Sequence, residues 1–101
     1  MLITVVDAAT GVPVGRERTI ELVEETMCLD ELIRRYTLLG IAGSDRGADP
    51  ADQTRLALDA FGRNAFVVLV DDRQVTDLTE TVRLREGSRV TFLKLVLLAG
   101  G

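Results

Sequence analysis

Residues Leu2 to Asp7 alternate in a run rich in β-branched side chains, and Arg16 to Val23 form a second such run with Ile20 and Leu22 on one side. The residues between them include Gly11, Pro13 and Gly15, so the pattern predicts a hairpin with a long loop. After Glu24-Glu25-Thr26 the period changes. Leu29, Leu32, Ile33 and Tyr36 recur at helical spacing with Arg34 and Arg35 on the outer side, which predicts a helix from about 28 to 39. Glu31, three residues after Cys28, stands where the acid of a capping box belongs. The usual Ser or Thr is missing there, and Thr26 is the hydroxyl that could serve, moving the start two residues earlier. Cys28 is expected to be a small buried hydrophobe at the start of this helix.

Gly40 to Ala48 contains three glycines and reads as a loop. Asp49-Pro50 has the form of an N-cap followed by proline at the first helical position, and Leu56, Ala57, Ala60 and Phe61 give a second, shorter helix its apolar side up to Gly62. Phe66 to Val70 is apolar on both faces, as a strand with a layer on each side would be, and Asp71-Asp72-Arg73 turns it back. Val82 to Leu84 is a short strand, Glu86-Gly87-Ser88 a turn, and Arg89 to Val96 the last strand. The order strand, strand, helix, small helix, strand, short strand, strand lets the last strand return parallel to the first, with the main helix over one sheet face. That is an α+β chain with the β-grasp arrangement: a mixed sheet of four to five strands, one main helix and an additional short one.

At 101 residues, with no internal repeat and no linker, the chain is expected to be one domain over 1–96 followed by a flexible tail over 97–101. Apolar residues make up 47% and charged residues 28%, a balance that excludes general disorder. The net charge is -4, and the arginines are interleaved with acids rather than gathered in a stripe, which argues against a nucleic-acid partner. No stretch approaches the roughly 20 apolar residues of a membrane span, and the N-terminus lacks a basic segment, so no membrane partner and a cytoplasmic location are expected. One cysteine and no histidine remove an internal disulfide, the commonest metal ligand and the commonest general base, so no metal site is expected. Glu24-Glu25 and Asp71-Asp72 have no base, metal ligand or nucleophile around them and read as solvated surface.

The C-terminal third, "VLVDDRQVTDLTETVRLREGSRVTFLKLVLLAGG", resembles the ubiquitin-like β-grasp proteins, including the sulfur-carrier branch of the molybdopterin-synthase small subunit and the thiamine sulfur carrier. The matching features are the strand and turn of Val70 to Val75, the apolar-x-acid-Gly stretch of Leu84 to Gly87, the Val90-x-Phe92 strand and the final Gly-Gly. The helix entry Met27 to Ile33 is similar as well. Sulfur carriers have a proline pair just before the tail, whereas Leu93 to Leu98 fill that space here, as in the long last strand of ubiquitin. The tail has no arginine, unlike ubiquitin's, and the second helix with its Gly-rich loop is extra. Bacterial ubiquitin-like proteins with their own activating, conjugating and deconjugating enzymes are the nearest likeness.

This resemblance implies a protein modifier that is itself a substrate and not an enzyme. The Gly101 carboxylate is adenylated by an activating enzyme that uses ATP, the modifier itself binding no cofactor, and is then joined to target proteins. Further expected partners are a conjugating enzyme and a deconjugating protease. In the sulfur-carrier alternative Gly101 becomes a thiocarboxylate for cofactor or tRNA thiolation, and in a third reading the domain is a non-conjugated binding adaptor. Gly100 and Gly101 lack Cβ atoms and can thread a narrow channel, behind Ala99, Leu98 and Leu97, which together reach about 17 Å when extended. With Val90 and Phe92 turned toward the helix, Thr91, Leu93 and Leu95 are expected on the other face beside Leu2, Thr4 and Val6, giving an exposed partner-binding patch. Strict alternation would also turn Lys94, the only lysine, inward; a bulge or the end of the sheet near it would avoid that.

Overall fold

The computed structural model describes residues 1–12, 15–44 and 49–95, with backbone alone over 39–44. Among these, β1 is Leu2–Ala9, β2 Arg16–Glu21, β3 Thr26–Cys28, α1 Leu29–Ser44, α2 Pro50–Gly62, β4 Phe66–Val70, β5 Arg73–Val75, β6 Thr81–Arg83 and β7 Arg89–Lys94. Five strands form one sheet in the order β2-β1-β7-β4-β5, and β3 and β6 form a separate two-stranded ladder. β1 and β7 are parallel, and every other pairing is antiparallel. This is the β-grasp layout in an α+β chain with a second helix.

The inward positions of the sheet and one stripe of α1 make the core. Ile3, Val5, Val68, Val90 and Phe92 face Leu29, Leu32 and Ile33, all nearly inaccessible. Those helical residues lie at spacings of three, four and one, which puts them on one side of a helix of 3.6 residues per turn. Tyr36 continues the stripe one turn on and stacks its ring on Phe92, with centroids 3.8 Å apart. Phe66 tilts against Phe92, and Phe61 of α2 against Phe66, so the aromatic contact runs from α1 through β7 and β4 to α2.

α1 begins differently from its sequence reading. Thr26 does not cap it but lies in β3, opposite Arg83. The first helical N–H groups are taken up by remote carbonyls: Leu29 donates to Glu80 and Asp30 to Leu78. These bonds do the work of a cap side chain for donors that lack intrahelical acceptors. Cys28 is exposed, not buried, because the β3–β6 pairing alternates sides and gives the inward place to Met27. The helix also continues through Gly40 to Ser44, where a loop was expected; only 45–48 of that stretch fall outside the described residues. α2 matches its reading, with the Asp49 carboxylate accepting from the Ala51 N–H and Pro50 in the first turn.

Three tight connections set the sheet. Asp71 and Asp72 both have positive φ, 49° and 71°, the signature of a two-residue hairpin turn whose twist suits the flanking strands, so β4 is followed at once by β5. Glu86-Gly87 turns β6 toward β7 with Gly87 at φ +85°, where a side chain would be strained. This turn is tied to β1 through Gly87 N–H to the Leu2 carbonyl and Leu2 N–H to the Glu86 carboxylate. Ser88, buried at 2%, donates from Oγ to Asp71 and accepts from the Arg85 N–H, while the other Asp71 oxygen accepts from Arg89 N–H. One serine thereby fastens the β4–β5 turn to the entry of β7.

Candidate docking face and tail root

β7 holds the middle of the sheet, hydrogen-bonded to β1 on one side and β4 on the other. It ends at Lys94, whose carbonyl accepts from the Thr10 N–H, and Leu95 N–H donates to the Ala65 carbonyl. The root of the tail is thus fixed on both sides. Lys94 is exposed because the strand stops there, which resolves the conflict between alternation and charge. The proposed attachment residue Gly101 and the threading residues Leu97, Leu98, Ala99 and Gly100 lie outside the described residues.

On the sheet face away from α1, the register sets Ala8, Leu93 and Val67 in one row and Val6, Thr91 and Leu69 in the next. Thr4 lies a further row along, beside Arg89, and Leu2 near the end of β1, opposite Glu21. Leu2 is 47% and Leu95 42% exposed, while Thr4, Thr91 and Leu93 are half-buried. Val6 departs from the expected patch, being only 8% exposed. Gly15 approaches it closely: a Cβ there would stand 3.2 Å from Val6 Cγ1 and 3.0 Å from the Asp7 carbonyl. Glycine at 15 therefore permits a close approach that removes Val6 from solvent.

Val67 and Leu69 also belong to this face, beside Leu93 and Thr91. The signal was the apolarity of β4 on both sides; the second layer it suggested is not a helix. α2 packs on the α1 side, with Ala57, Leu58 and Phe61 against the core, and among the described residues no helix crosses the outer face. One ion pair does cross it, Arg89 on β7 to Glu17 on β2 at 3.3 Å, spanning β1 between them. Both side chains are largely solvated, so the pair shapes the rim of the patch more than it stabilises the fold.

The charged groups elsewhere are arranged as surface networks. Arg35 binds Glu24 with two hydrogen bonds and Glu31 with a third, and the Arg35–Glu24 hydrogen bonding, followed by backbone hydrogen bonds, holds the Glu24 carboxyl down to about 2. Burial, followed by the hydrogen bond with Asp7, pushes the Tyr36 phenol up to about 12. Among the described residues no three His, Cys, Asp or Glu side chains gather where they could hold a metal ion. No described helix is long and apolar enough to cross a membrane. No protein-family model matches the chain, and no curated protein does.

Proposed function

We propose that this chain is a ubiquitin-like protein modifier acting in the cytoplasm, a substrate rather than an enzyme. The observation that carries the reading is the placement of β7. A central, doubly hydrogen-bonded strand runs directly into the segment that closes on Gly100-Gly101, beside an outer face with no helix over it among the described residues. A carboxylate is a poor electrophile, so the Gly101 oxygen first attacks the α-phosphate of ATP on an activating enzyme, forming the acyl-adenylate and releasing pyrophosphate. A cysteine thiolate of that enzyme displaces AMP to give a thioester. A target amine then displaces the thiolate and loses its proton, leaving an amide. Leu2, Leu95, Leu93 and Thr4 form the surface against which the enzyme grips the modifier while Leu97 to Gly101 thread its channel; Val6, shielded by Gly15, is not part of that surface.

The experiment is to express an N-terminally tagged chain in its source cells, purify it under denaturing conditions, and compare it by intact mass and gel mobility with a variant lacking Gly100-Gly101. Heavier species that carry target mass and vanish with the diglycine support the reading. Free chain whose mass shows a sulfur-for-oxygen exchange at the terminus, without conjugates, would make it a sulfur carrier. Unchanged cellular activity without the diglycine would make it a binding adaptor.

A further inference from the structure

The ladder of β3 and β6 uses one edge of β6 and leaves the other open. Met27 stands opposite Val82, and on either side of that pair Leu29 N–H donates to the Glu80 carbonyl and Leu84 N–H to the Glu25 carbonyl. Hydrogen-bonded and non-bonded pairs alternate along an antiparallel ladder, so the main-chain N–H and C=O groups of Thr81 and Arg83 point away from β3. Among the described residues these groups have no hydrogen-bond partner on any other element.

That edge opens on a recess of about 390 Å³ between β6 and the β4–β5 hairpin. Val70, Val75 and Val82, all buried, line its inner side, and the exposed Arg73 and Arg83 stand at its rim. Arg73 is engaged by Glu80, and the Asp71 carboxylate by Ser88 Oγ and Arg89 N–H. Arg83 has no ion-pair partner among the described residues, so the uncommitted charge of the recess is positive. The longer open edge, β2, is guarded instead. Arg16, Glu17 and Arg18 follow one another along it, charges of both signs that discourage a further strand.

We propose that β6 accepts an extended, acidic segment of a partner protein as an added strand, held through the main-chain groups of Thr81 and Arg83. In antiparallel pairing these two residues exchange about four hydrogen bonds with the segment over a strand length of about 7 Å. Residues opposite one another share a face of the ladder. The partner side chain opposite Val82 therefore turns inward toward Val70 and Val75, and the one opposite Arg83 lies beside the free guanidinium. The segment that fits alternates acidic and apolar residues. None of these contacts involves the outer sheet face or the tail, so the site is independent of whether the chain is conjugated.

The test uses the full ¹⁵N-labelled chain and the synthetic peptide acetyl-Glu-Val-Glu-Val-Glu-amide, whose pattern fits either strand direction. In the free chain the Thr81 and Arg83 amides are expected to exchange with solvent faster than those of Val82 and Leu84, which bond toward the β3 side. With the peptide nine-tenths bound, exchange at Thr81 and Arg83 is expected to slow about tenfold. Arg83→Glu, at an exposed position, replaces an opposite-charge pair by a like-charge one. It is expected to weaken this peptide about tenfold and to strengthen acetyl-Lys-Val-Lys-Val-Lys-amide. Methylating the backbone nitrogens of the peptide's glutamates removes donors without changing charge or touching the protein, and is expected to abolish the protection. Unchanged exchange at Thr81 and Arg83, equal binding of the methylated or the lysine peptide, protection at Gln74 or along Arg16 to Glu21 instead, or protection that rises with protein concentration in the absence of peptide, as a second copy would produce, would each overturn the proposal.

Discussion

Ser88→Ala isolates the fastening between the β4–β5 turn and the start of β7. The hydroxyl bonds Arg85 N–H at 3.0 Å and Asp71 at 3.1 Å, in a residue 2% exposed. A hydrogen bond contributes about 0.5 to 1.5 kcal/mol net, and a buried partner left unmatched costs about 1 to 3 kcal/mol. Asp71 is exposed and can turn to water, so its share is at the low end, whereas the Arg85 N–H points into the turn. The expected total is about 2 kcal/mol. In urea, with a slope of about 1 to 1.5 kcal/mol per molar, that is a midpoint lowered by about 1.5 M at unchanged slope. Asp71→Ala should cost a similar amount through Arg89 N–H and Ser88. The double variant should fall short of the sum by about 1 kcal/mol, since the two residues share one bond. A Ser88→Ala loss under 0.5 kcal/mol, or strict additivity with Asp71→Ala, would refute the claim that this serine joins the two turns.

Gly15→Ala should lower stability by about 1 to 3 kcal/mol, because the added Cβ meets the Asp7 carbonyl at 3.0 Å and overpacks Val6; thermal unfolding measures it. A Tyr36→Leu and Phe92→Leu double-mutant cycle should give a coupling of about 0.5 to 1.5 kcal/mol for the stacked rings, read by urea unfolding. Tyr36 is the only tyrosine, so phenolate absorbance reports it directly; its midpoint should fall near 12, and Asp7→Asn should lower it. The folded-state value is raised, so this phenol's contribution to stability is complete below about 10 and is lost as the pH rises toward 12. Leu2→Asp with Leu95→Asp should leave stability within about 0.5 kcal/mol, both being exposed. The same variant should reduce conjugate formation in the diglycine assay about tenfold, a loss of about 1.4 kcal/mol in docking.

The longer elements were legible because each carries its own period over enough residues. Leu29, Leu32, Ile33 and Tyr36 mark α1, the Leu2 to Asp7 run marks β1, and Asp49-Pro50 announces α2 through local capping chemistry. Parallel pairing of β1 with β7 followed from the order of elements, since a helix between them requires a crossover. β3 and β5 were not legible: β6 is as short, but its Val82-Arg83-Leu84 alternation stands before the Glu86-Gly87 turn, whereas β3 and β5 carry no such local signal and each exists because a partner strand is brought beside it. The exposure of Cys28 follows from that ladder, and so does the start of α1 at carbonyls some 50 residues downstream. The candidate face divides the same way. Alternation along β1 and β7 put Leu2, Leu93 and Leu95 on one side, but whether a residue there meets solvent depends on what passes over it. For Val6 that is the close return of Gly15, a distance set by tertiary packing and not by any local preference of the chain.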